Sequence, residues 1–164
     1  MRLIEKLSSL VYQLEKFLAS IFIITMFVSL VLSVFFRYVL NNPLHWTDEI
    51  AIFSMIWVTF LGGSMSLKRQ ESTAVTFITD KLSGLSLKTV KIVVFLITFI
   101  FCLFIFILAF QWITSPMISF QRSVAMQMPM LYPYLSVPVG FGFMTIHVLE
   151  LLLKSISSRA EEVK

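Results

Sequence analysis

A chain of 164 residues has room for one domain, but hydrophobic residues make up 58% of it and charged residues only 13%, against about 45–50% and about 25% in soluble domains. With 17 Phe and a mean hydropathy of +0.91, no soluble core of this size could bury the apolar surface, so the chain is read as an integral membrane protein. The one cysteine, Cys102, excludes an internal disulfide and a CxxC redox pair, and the formal charge of +4 follows membrane topology rather than marking a nucleic-acid partner.

Taken in chain order, the first element is amphipathic. Leu3, Ile4, Leu7, Leu10, Val11 and Leu14 recur at steps of three and four, with Arg2, Glu5, Lys6, Gln13 and Lys16 on much of the opposite face. Residues 1–16 read equally as a surface helix and as an early start of the first span. The span itself is predicted near 17–38. Its charge-free run, Phe17–Phe36, exceeds the 7–15 apolar residues of a signal peptide, and no small-residue cleavage site follows it, so it is expected to stay uncleaved. The second span is predicted near 48–67, the third near 90–113 and the fourth near 132–153. The shortest charge-free run, Ile50–Leu67, still reaches roughly 27 Å as helix. The predicted fold is an all-α four-helix membrane domain.

A loop over 68–89 joins spans two and three. The stretch Val75, Phe77, Ile78, Leu82 and Leu85, broken by Gly84, reads there as a short surface helix or a plain solvated loop. Pro116, Pro129 and Pro133 predict an irregular hairpin over 114–131 between spans three and four. Lys and Arg outside the spans divide eleven to two in favour of the N-terminus, the 68–89 loop region and the C-terminal tail. Both termini are therefore expected to be cytoplasmic. Tyr38, Trp46, Trp112, Tyr132 and Tyr134 fall at the opposite helix ends, as an interfacial belt requires.

Small-xxx-small steps mark faces where another backbone can approach: Ser29/Ser33, Gly62/Ser66 and Ser136/Gly140. Span three instead displays Phe95, Phe99, Phe101, Phe104, Phe106 and Phe110 and is expected to face lipid or a large apolar partner. His147 is expected to bond within its helix or to Glu150, and His45 lies too far away to share a haem with it. No nucleophile has a base placed beside it, no metal set is visible, and no charge sits at mid-span as a substrate site would need. The chain is expected not to be an enzyme and to hold no cofactor.

The densest constellation is Phe36-Arg37-Tyr38-Val39-Leu40-Asn41-Asn42-Pro43-Leu44-His45-Trp46-Thr47-Asp48-Glu49. Thr47 is expected to cap the second helix, with Asp48 and Glu49 in its first turn. Arg37 is expected to pair with Asp48 or Glu49, and Trp46 to anchor the clamp at the interface. On the hairpin, Met126 and Met128 with Arg122 form a flexible apolar surface suited to a moving partner, or one that dips into lipid.

The run FRYVLNNPLHWTDEIA resembles the helix 1–2 signature of the small (DctQ-type) membrane subunit of tripartite ATP-independent periplasmic (TRAP) transporters. Arg37, Tyr38, Asn42, Pro43, Trp46, Thr47, Asp48 and Glu49 carry it, and Gly62-Gly63-Ser64 with Lys68-Arg69 fit the helix 2 exit. Beyond the basic pair, where the family often has a His and then an acid, this chain has Ser72 and Thr76. The resemblance implies a scaffold subunit in a bacterial inner membrane. It would stabilise a large transport subunit, which carries the sodium and the organic acid (sialic acid or a dicarboxylate, for example), and help dock a periplasmic binding protein. The rival readings are an independent homo-oligomeric channel or exporter, and a membrane anchor of another complex.

Overall fold

The computed structural model describes residues 2–69 and 85–161. Its elements are α1 (Arg2–Tyr38), α2 (His45–Arg69), α3 (Leu85–Ile113), the short α4 (Pro116–Phe120) and α5 (Leu131–Tyr134), and α6 (Ser136–Glu161). Four helical stretches are long and apolar enough to cross a membrane: Leu3–Tyr38, His45–Arg69, Thr89–Ile113 and Leu131–Ser157. Val75, Phe77, Ile78, Leu82, Gly84, Ser72 and Thr76 lie outside the described residues.

Of the two readings of residues 1–16, the structure shows the early start. With neither Gly nor Pro to interrupt it, α1 runs unbroken for 37 residues, about 55 Å of helix. Its inward stripe explains this: Ser8, Val11, Glu15 and Ala19 are buried and continue into Ser29 and Ser33 on the same face. The leucines that suggested a surface helix point outward, Leu3 at 83% exposure. α1 stops where Asn41 takes a left-handed conformation (φ 49°) and Pro43 follows.

The spanning helices pack in the order α1–α2–α6–α3, a row rather than a closed ring, and α1 touches α6 as well. Small side chains permit the close passages. A β-carbon on Gly140 would meet Phe60 Cβ at 2.7 Å, one on Gly142 would meet the Phe106 ring at 3.2 Å, and one on Gly63 would meet Met144 Cε at 3.1 Å. Gly62, expected at a crossing, has nothing within 4 Å of the equivalent point, so the tight position on α2 is one residue further on. Ser66 is half-buried, while Ser54 and Ser64 are buried. The buried apolar cluster, Phe95 with Val148, Leu151 and Leu152, lies between α3 and α6. The Phe set of α3 therefore divides: Phe95 and Phe99 pack inward, whereas Phe101, Phe104 and Phe110 are exposed.

Candidate functional site

Polar groups gather at the two ends of the row. At the hairpin end, Asp48 sits in the first turn of α2, and one carboxylate takes two donors from α1. Ser33 Oγ donates to Oδ1 at 2.5 Å and Arg37 Nη2 to Oδ2 at 2.9 Å. One helical turn separates Ser33 from Arg37, which lets both reach the same residue. Of the two carboxylates expected to receive Arg37, Asp48 is the one that does. Thr47 is buried, but its hydroxyl donates back to the Leu44 carbonyl at 2.6 Å instead of accepting from an amide ahead of it, because the helix already begins at His45. Trp46 is 41% exposed beside this pair.

Glu49 turns the other way. Its two oxygens accept the backbone N–H groups of Ala125 (2.6 Å) and Met126 (3.0 Å). These amides sit at the tip of a small hairpin. Its legs join through Ser123 N–H to the Met128 carbonyl (2.8 Å) and Met130 N–H to the Gln121 carbonyl (3.0 Å), with Gln127 at φ 54° in the turn. Arg122 donates to the Gln127 carbonyl at 3.2 Å. A carboxylate filling a concavity of adjacent amides is a strong charge-assisted arrangement. Neighbouring acids thus tie α2 in two directions, to α1 and to the hairpin. Nothing in the sequence spacing links position 49 to 125–126, so the partner was not legible there. Met126 and Met128 are half-buried, and the apolar side chains that stand clear are Val124 (90% exposed), Phe120 (84%) and Met117 (73%). With Glu49→Ala, amide exchange at Ala125 and Met126 is expected to accelerate on the order of tenfold, while α2 amides keep their protection. Unchanged exchange would show that the loop holds itself.

The other end, where Lys68 emerges, carries a network that the sequence reading missed. His147, fully buried on α6, does not bond to Glu150. Its Nδ1 lies 2.6 Å from Ser8 Oγ and its Nε2 3.0 Å from Glu15 Oε2. Glu150 instead takes Lys68 from α2 on one oxygen and Lys154 from its own helix, at 2.6 Å, on the other. Lys68 also donates to Ser8 Oγ at 2.6 Å. Ser8 and Glu15 stand two turns apart on the stripe that holds Val11 and Ala19. That spacing was the available signal, but it was masked by the stronger leucine periodicity.

Between the ends, α3 and α6 enclose an open apolar groove of about 550 Å³, lined by Leu103, Phe106, Phe110, Val139, Gly142 and Phe143 among others. Of the remaining expected packing residues, Ser29 and Ser33 are buried, and Ser136 is buried with its hydroxyl donated to the Pro133 carbonyl at 2.6 Å. No group of three or more His, Cys, Asp or Glu that could hold a metal occurs among the described residues.

These features belong to a chain with clear relatives. The isethionate TRAP transporter permease protein DctMQ of Oleidesulfovibrio alaskensis is 30% identical over 110 residues, which is 64% of this chain and 16% of that protein. The sialic acid TRAP transporter permease protein SiaT of Haemophilus influenzae is 30% identical over 95 residues, 58% of this chain and 15% of that protein. The matched stretch is thus about a sixth of the length of each relative. Residues 26–158 match the family described as tripartite ATP-independent periplasmic transporters, DctQ component, and the chain, a multi-pass membrane protein with four potential spans, belongs to that family as a TRAP transporter permease component.

Proposed function

We propose that this chain is the small scaffold subunit of a sodium-coupled, binding-protein-dependent importer of an organic acid. The large membrane subunit that it supports carries the substrate and sodium. One observation carries the reading: the relatives contain the matched stretch within chains about six times longer than the match, so this domain works beside a much larger membrane partner. The row of helices suits that role. It leaves broad apolar faces uncovered, including Phe101, Phe104 and the α3–α6 groove. Among the described residues its charges sit at the two ends, whereas transported anions are bound near the midplane. The transport path therefore lies in the partner.

The excess of Lys and Arg on the termini and the 68–89 region supports a topology with both termini in the cytoplasm and the 114–131 hairpin outside. There the hairpin helps receive a periplasmic binding protein, with Met126, Met128 and Arg122 beside the more exposed Val124 and Phe120. The relatives' printed substrates, isethionate and sialic acid, are both organic anions, and an anion of that class is the expected cargo.

The test is a gentle native pull-down of the C-terminally tagged chain from its source membrane. A stoichiometric large polytopic membrane protein is the expected companion. Recovery of the chain alone, as a stable homo-oligomer, would overturn the scaffold reading in favour of an independent channel or exporter.

A further inference from the structure

The network at the Lys68 end is unevenly charged. Glu150 has two ammonium partners, Lys68 and Lys154, and Lys154 also reaches Glu5 on α1 at 3.8 Å. Glu15 is fully buried and has no Lys or Arg within salt-bridge reach in the described residues. The basic group it meets is His147, itself fully buried, and its second oxygen, Oε1, has no hydrogen-bond partner among the described residues. Arg69, the remaining basic residue at this end of α2, is exposed and engages Tyr12 through a 2.7 Å hydrogen bond from Nε. The other charged groups at this end, among the described residues, are Lys6 and Lys16 on exposed positions of α1 and Lys91, half-buried near the start of α3. A carboxylate facing a neutral imidazole would leave an unbalanced charge where water does not reach, and that is strongly disfavoured.

We propose that Glu15 and His147 form a buried proton-binding site: the pair holds one proton beyond that of an ionised carboxylate facing a neutral imidazole. In the balanced form His147 is an imidazolium that donates through Nε2 to Glu15 and through Nδ1 to Ser8. Ser8 Oγ has two lone pairs, so it can accept from both His147 and Lys68. The contacts Glu15–His147–Ser8–Lys68–Glu150–Lys154–Glu5 form an unbroken series from the sealed pair to half-exposed groups. Because the pair joins α1 to α6, the strength of that joint is tied to the proton. The inference does not depend on the proposed scaffold role.

The chain contains two histidines, and His45 is exposed, which supplies an internal reference. In the full chain in lipid nanodiscs, labelled with 15N-histidine and 13C-glutamate, spectra are read at about pH 8, where an ordinary solvent-exposed imidazole is neutral. His147 is expected to show two protonated ring nitrogens while His45 shows one. A neutral His147 beside a protonated Glu15 supports the same site, with the proton on its other member. A neutral His147 beside an ionised Glu15 would overturn it.

A mutant cycle provides an independent test. His147→Gln strands the Glu15 charge and should lower the thermal midpoint by about 10 °C. Glu15→Gln removes the need for the proton. Combining Glu15→Gln with His147→Gln should recover most of the loss from His147→Gln alone. Additive losses, as expected of two ordinary hydrogen bonds, would overturn the proposal.

Discussion

Lys68→Met is expected to cost about 3 kcal/mol of stability, the lower end of the range for removing one partner of a buried ion pair. Glu150 is 4% exposed and would keep Lys154 as its remaining counter-charge, while Ser8 would lose a donor. For a chain of this size such a loss corresponds to a fall of about 6–12 °C in the unfolding midpoint, measurable by a thermal scan in mild detergent. The added substitution Glu150→Gln should restore much of it, because the stranded charge, more than the missing contact, causes the damage. A fall that Glu150→Gln leaves untouched would show that Lys68 acts by packing alone.

Gly140→Ala is the second large effect. The added carbon would sit 2.7 Å from Phe60 Cβ. That atom is fixed to the α2 backbone, so no rotamer change relieves the clash. The helices must part, at a cost of about 1–3 kcal/mol. Gly62→Ala is the matched control on α2. With nothing within 4 Å of its new carbon, it should be neutral or gain about 0.5–1 kcal/mol from helix propensity. Comparable behaviour of the two variants in a thermal scan would remove close approach at Gly140 as the reason that α2 and α6 pack so tightly.

How far these features could be read from the amino acids depends on the range of the interaction. The four spans were legible because charge-free length is a local property and lipid imposes it directly. The Arg37–Asp48 pair was legible because a short turn, Asn41-Asn42-Pro43, puts both residues at one depth. For His147 the expected partners were its own helix or Glu150, because three residues is the nearest helical step. Its true partners are 139 and 132 positions away on α1, a pairing set by the packing of the helices. The small-residue motif failed at Gly62 for a related reason. Two small residues four positions apart say that some backbone can approach, but not which of the neighbouring positions it meets. In residues 1–16 the leucine stripe carried the strongest periodic signal, yet it faces outward. In a membrane protein large apolar side chains can face lipid, and the buried stripe is the small and polar one.

The length of α1 has a consequence for the membrane around it. A helix of about 55 Å that leaned by about 40°, the limit usually seen for spanning helices, would still rise about 42 Å, against about 30 Å of hydrocarbon. About three turns must therefore pass through the headgroup layers, and the exposed Leu3 and Leu7 give one end of that excess an apolar edge. Thicker bilayers would cover more of this edge and let the helix stand more upright. Thinner ones would force it to lean or strip the edge bare. Bilayer thickness thereby becomes a variable to which this helix, and through Ser8, Glu15 and Asp48 the rest of the row, is mechanically tied.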